Sequence, residues 1–340
     1  MNDRSLPGLA AGYFADLGRS SVRGWNRFWF TPTDPATYCL IRILAGWMLF
    51  YTHLVWSIGL EDFFGDNAWL SVDVANSGIE ATYNRTFFEL IHSPTLLWCV
   101  HIFALVCMFC LTIGLFSRPA AFLTAFFTVQ YANRVPGANF GLDQINTLLA
   151  LYLCVGACGA CYSMDRLIAR WRDKAPAEVP PSVGANIGIR LIQLHMCVVY
   201  LFAGIGKTGV TWWNGDAMWL SVASYEYQSL DMTWLAHWPI TLALMTHVSI
   251  WWEMTYCVLV WPRITRPIMV ALAVPLHLGI AVFLGMITFG YIMIVGNVAF
   301  VSPWLVRRIV DRKRKPSVPE VAKRERPARR KPRQAVAAGK

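Results

Sequence analysis

Three ionisable side chains stand where an apolar chain has no structural need of them. Lys207 follows Gly204 and Gly206 in YLFAGIGKTGVTWWNGDAM, at the join between an apolar run and a tryptophan-rich loop. Glu253 interrupts MTHVSIWWEMTY, and His277 comes two residues after Pro275 in VPLHLGIAVFLG. An amine in partly apolar surroundings has its charged form disfavoured, and a neutral amine is a general base. The other reading of Lys207 is a side chain that snorkels to lipid headgroups. The two glycines are expected to end or unwind the helix before it. A carboxylate in mid-span wants a cation, and Arg42 or Arg190 is expected to supply it; such a pair would either fix helix register or handle protons. His277 would bond a neighbouring helix or line a site.

Further polar residues fall inside apolar runs. Arg42 and His53 are eleven residues apart, about 20° around a helix, with Gly46 on the same face. Arg190, Gln193 and His195 precede Lys207 in its own run. Cys154, Cys158 and Cys161 are expected on one helix face, where Gly156, Ala157 and Gly159 mark them as small packing residues rather than metal ligands. All nine cysteines are placed in a way that excludes a secreted disulfide scaffold.

The elements that must position these groups are membrane spans. Hydrophobic residues make up 56% of the 340, and the mean hydropathy is +0.43, beyond the range of an ordinary soluble domain. Eight apolar stretches are predicted to cross a hydrocarbon core about 30 Å thick. They are Tyr38–Ile58, Leu96–Phe116, Pro119–Ala132, Asn146–Tyr162, Ile187–Ile205, Ile240–Val260, Ile268–Met286 and Thr288–Val306, the third and fourth being short. Met1–Thr33 lacks the charged tip and apolar core of a cleavable signal peptide. Within it RGWNRFWF, Arg23–Phe30, reads as a stretch lying at the bilayer surface.

The formal charge of +10 is concentrated at one end. Residues Arg307–Lys340 hold 14 of the 30 Lys and Arg but three of the 20 Asp and Glu. This tail is expected to be disordered and to touch anionic lipid headgroups; nothing in it resembles a nucleic-acid-binding fold. Eight spans put both termini on one side, together with Arg118, Arg166, Arg170, Arg172, Lys174, Arg263 and Arg266, which is expected to make that side the cytoplasm. In a bacterium the membrane would be the plasma (inner) membrane. The opposite loop from Gly59 to Thr95 leans acidic, and Lys207 falls at the outer end of the fifth span.

The segments FWFTPTDPATYCLIRILAGWML, EDFFGDNAWLS, NRVPGANFGLDQINTLLALYL, RLIQLHMCVVYLFAGIGKTGVTWWNGDAM and PLHLGIAVFLGMITFGYIMI occur in that order. Together they resemble the membrane domain shared by vitamin K-dependent γ-carboxylases and bacterial proteins with the horizontally transferred transmembrane (HTTM) domain. The likeness runs over about residues 27 to 305. It implies an eight-helix membrane bundle. It also implies a chemistry in which a lysine deprotonates a reduced vitamin K-like hydroquinone, oxygen converts it to a strong base, and a peptide glutamate loses a proton and takes up carbon dioxide. Lys207 matches the family's lysine and His277 a family histidine. Asp143 stands closest to a histidine of the fourth span that has no counterpart here, and Trp213 belongs to the matching WWNG element. Gly206 occupies the place of a second lysine. The large extracytoplasmic substrate domain of the animal enzyme is expected to be missing, in which case substrate recognition would fall to a partner protein.

These readings give an all-α integral membrane fold: an interfacial segment over 1–26, a bundle of about eight helices over 27–306, and a disordered basic tail over 307–340. The expected function is a multi-pass quinone-hydroquinone-dependent enzyme of the carboxylase or epoxidase type, a carbon-carbon lyase. Lys207 and His277 would be catalytic, with Arg42, Asp143, His195, Trp213 and Glu253 in support. A non-catalytic binding or transport bundle, or an accessory scaffold, is the alternative.

Overall fold

A computed structural model describes residues 6–71, 74, 85–174, 176, 178–226 and 229–311, and among these the chain is helical without strands. The tail expected to be disordered lies, from residue 312 on, outside the described residues. The α-helices are α1 Leu6–Phe30, α2 Ala36–Trp56, α3 Leu60–Phe64, α4 Pro94–Ile113, α5 Ser117–Arg134, α6 Gly141–Leu153, α7 Met164–Trp171 and α8 Val183–Gly206. They continue with α9 Val210–Trp213, α10 Ala217–Ala223, α11 Pro239–Leu259, α12 Arg266–Phe283, α13 Ile287–Asn297 and α14 Pro303–Val310.

Local chemistry sets the boundaries. Pro94, Pro239 and Pro303 open their helices, where a missing N–H is harmless. Ser182 caps α8 by accepting from Ala185 N at 3.2 Å, and Gly114 ends α4 in the left-handed conformation at φ 71°.

Among the described residues, four helical stretches are long and apolar enough to cross a membrane, or five if a bent pair counts as one span. They are Ala36–Phe64, Pro94–Ile113, Val183–Gly206 and Arg266–Phe283, with Ile287–Phe300 and Pro303–Val310 as the pair, bent by 114°. Of the eight predicted stretches, the third, fourth and sixth, which fall in α5, α6 and α11, are not among these, and the eighth counts only as the bent pair. α6 stops at Leu153 after 13 residues, about 20 Å, well short of a hydrocarbon core. The eighth stretch is broken after Phe300.

Two further expectations change with the end of α6. Cys154 is already the cap of that helix, so Cys154, Cys158 and Cys161 do not share a helix face. The small residues do pack closely: a Cβ on Gly156 would stand 2.7 Å from the backbone of Gly184. RGWNRFWF is the end of α1, where Phe28 and Trp29 are half-buried and Asn186 of α8 donates to both their carbonyls.

The core runs through the middle of the bundle, with Tyr38, Leu49, Leu149, Ile192, Tyr256 and Ile292 in one cluster. A second cluster joins the far end of α2 to α4 and α5 through Phe64, Phe88, Met108 and Tyr131. Outward faces carry Phe103, Phe122, Phe126, Phe202, Leu244 and Leu278, all exposed, which is the pattern of a surface solvated by lipid tails.

Candidate functional site

α8 stops at Lys207, whose backbone leaves the helix at φ −84° and ψ 46° and whose N–H donates to Gly204 O at 3.1 Å. Gly204 itself stays helical. Its role is close approach: a Cβ there would stand 2.7 Å from Met254 Cγ, 3.0 Å from Met254 N and 3.3 Å from Glu253 Cβ. A glycine at this position lets α8 and α11 touch backbone to backbone, level with Glu253. α11 then continues past the end of α8, and its first turns pack on the α9–α10 segment through Gly215 and Thr246.

The ledge so formed holds Lys207. Its Nζ lies 2.5 Å from Glu253 Oε2, donates to Ala203 O at 3.3 Å, and stands 5.1 Å from the centre of the Trp212 ring. The two side chains keep 20% and 11% of their surface exposed. Glu253 therefore finds its cation in Lys207, and neither Arg42 nor Arg190 supplies it.

Two turns before Lys207 on the same face of α8, Tyr200 begins a buried chain of hydrogen bonds. Its hydroxyl lies 2.6 Å from His277 Nε2 and accepts from Asn297 Nδ2 at 2.7 Å. Asn297 Oδ1 in turn accepts from Tyr256 OH at 2.6 Å. The direction of the Tyr200–His277 hydrogen bond follows the imidazole tautomer, since a hydroxyl both donates and accepts. His277 is 2% exposed, and Nδ1 has no partner among the described residues. Trp252 and Tyr256 pack on the Tyr200 ring with centroids at 4.7 and 4.4 Å, and Phe289 covers His277 at 6.3 Å.

The remaining expected site residues stand elsewhere. Arg42, completely buried, uses Nη1 and Nη2 to hold the carbonyls of Leu111, Thr112 and Tyr162, where α4 ends and the chain returns toward α7. Asp143 caps α6 by accepting from Phe140 N at 3.0 Å. His195 Nδ1 meets Tyr152 OH at 3.0 Å, toward α6. The Trp213 carbonyl faces His247 Nε2 at 3.1 Å, and it is the neighbouring Trp212 that lies against the amine.

Tyr200, Asn297, Tyr256 and Trp212 escaped the sequence reading. Asn297 alone gave a visible signal, an amide inside IMIVGNVAF; tyrosines and tryptophans are too common near membrane surfaces to stand out.

No curated protein and no solved structure matches the chain. The HTTM domain matches residues 30–304, a stretch that contains the ledge, the buried hydrogen-bond chain and every helix from α2 to α13. The chain therefore belongs to the HTTM domain family.

Proposed function

We propose that this chain is a membrane enzyme acting on a lipid-soluble reduced quinone or related phenol, with Lys207 as general base and Glu253 as its proton partner. The observation that carries the reading is the Lys207–Glu253 pair, largely withdrawn from solvent at the end of α8. When the proton shared by the pair resides on Oε2 of Glu253, Nζ of Lys207 has a lone pair with which to take another. The ammonium so formed is positioned to steady negative charge beside it, with the Trp212 face as a further contact.

The surroundings suit such a ligand. His277 Nδ1, buried and without a partner among the described residues, is left to meet a polar atom of a ligand, and Trp252 and Phe289 supply flat apolar walls. Tyr200, itself held by Asn297, orients the imidazole. A bound hydroquinone would bring an acidic O–H and two electrons; the family resemblance adds oxygen and carbon dioxide as co-reactants. We infer eight crossings with both ends in the cytoplasm from the charge of the loops.

Turnover of reduced quinone with oxygen and carbonate tests the proposal. Lys207→Ala and Lys207→Arg should both lose it while remaining folded, because the guanidinium does not give up its proton. Full turnover by either variant refutes the assignment.

A second reading, a bundle that passes protons or a small solute, is supported by the mid-span carboxylate of Glu253 and the buried His277. Flux of protons or a small solute that survives loss of Lys207 but not of Glu253 would favour transport.

A further inference from the structure

The other end of α8 carries a second polar feature, remote from Lys207. The last turns of α1 lie across the start of α8, held by Thr33 and Ser182, which exchange backbone hydrogen bonds at 3.2 and 2.8 Å. Asn186 fastens the same crossing by donating to Phe28 O and Trp29 O, both at 2.8 Å. Between the two helices is a cavity of about 410 Å³, lined by Arg27, Phe28, Thr31, Thr33, Asn186 and Arg190 among others.

The charge of this cavity is one-sided. Its lining has two guanidinium groups and no carboxylate. Asp34 is next along the chain, but both its oxygens are taken by Arg307, at 2.5 and 2.7 Å. Arg266 adds its own positive charge to the surroundings of Arg190, while its N–H groups are used on Val260 O and Trp261 O. Arg190 is held in place rather than free: it lies 4.5 Å over the Phe28 ring, and Nη1 donates to Gln193 Oε1 at 2.8 Å. Its Nε is buried and has no partner among the described residues. An arginine so fixed by stacking, with donor capacity to spare and like charges around it, is arranged for an anion.

We propose that this cavity binds a phosphate-bearing anion, clamped between Arg27 and Arg190 with Thr33 beside it; the Thr31 hydroxyl is spent on Arg27 O. Phosphate matches the planar fork of arginine, and the volume suits a headgroup or a small phosphate ester. Trp25 and Phe30, exposed on the same helix end, provide apolar contact for acyl chains when the phosphate belongs to a lipid.

Full-length protein in detergent tests the site. Retention of phosphatidic acid or phosphatidylcholine is read by native mass spectrometry, and protection by inorganic phosphate by thermal unfolding. Wild type should retain phosphatidic acid over phosphatidylcholine, or gain stability from inorganic phosphate; the first result assigns a lipid source and the second a soluble one. Arg27→Gln, at an exposed position, should lower the effect about tenfold, and Arg190→Gln at least as much. Arg308→Gln, which removes a charge stacked on Trp304 elsewhere, should leave it unchanged. Equal binding by wild type and Arg27→Gln, or no binding of either anion, overturns the proposal.

Discussion

Lys207 and Glu253, 46 residues apart in sequence, meet at 2.5 Å because Gly204 removes the side chain that would keep their helices apart. The pair sits in a low-dielectric interior, where two opposite charges depend on each other more than on water.

Loss of one partner should therefore cost more than loss of both. Glu253→Gln or Lys207→Met alone leaves a charge largely buried, and each should lower stability by about 3 kcal/mol. The double variant Lys207→Met/Glu253→Gln should recover most of that. Thermal unfolding of the four proteins in one detergent measures the coupling; additive losses would mean that the two side chains are independent.

Gly204→Ala should act on the same pair without touching its chemistry. The added methyl meets Met254 Cγ, which can move, and Met254 N, which cannot. A cost of about 1–3 kcal/mol is expected, rising with Gly204→Val. Cysteine cross-linking between the end of α8 and residue 254 should slow in the same order.

Tyr200→Phe removes the hydroxyl shared by His277 and Asn297. It strands Asn297 Nδ2 from this partner and leaves His277 Nε2 without one, a loss of about 1–3 kcal/mol. If His277 orients a ligand, the variant should also raise the apparent KM for reduced quinone more than it lowers kcat. Nitrogen-15 NMR of labelled histidine should show the imidazole shift its tautomer balance.

Arg42→Lys tests whether charge or shape matters at the end of α4. Three carbonyls from two separate segments converge on the guanidinium, and an ammonium has neither the reach nor the fork to hold them all. Arg42→Lys should unfold several degrees lower than wild type, and Arg42→Ala lower still, with Lys207-dependent turnover affected only as far as the fold is.

The bundle was legible in the sequence wherever an apolar run carried its own boundary. Pro94, Pro239 and Gly114 end or begin helices close to the expected residues, because those signals act through the local backbone. The stop of α6 at Leu153 was not legible. The residues after it are still apolar, and the chain turns there so that Gly156 can lie against Gly184, a contact made with a helix some thirty residues on. The site divides in the same way. Lys207, Glu253 and His277 stood out as ionisable groups in apolar runs, but their partners are set by how three helices pack. Arg42 carried the same outward signal and is used to hold backbone carbonyls, since burial of an arginine can be satisfied by carbonyl oxygens as well as by a carboxylate.

The fastening of α2 bears on how the protein comes to be made. Thr37 Oγ1 donates to Val301 O across 264 residues, Tyr291 OH to Leu44 O across 247, and Asp34 grips Arg307 across 273. A nascent chain emerging from the ribosome thus delivers its first apolar helix long before the segments that complete its surroundings exist. Until α13 and α14 arrive, Thr37 and Asp34 must wait without their final partners, so the surroundings of α2 are completed only when those two helices dock on it.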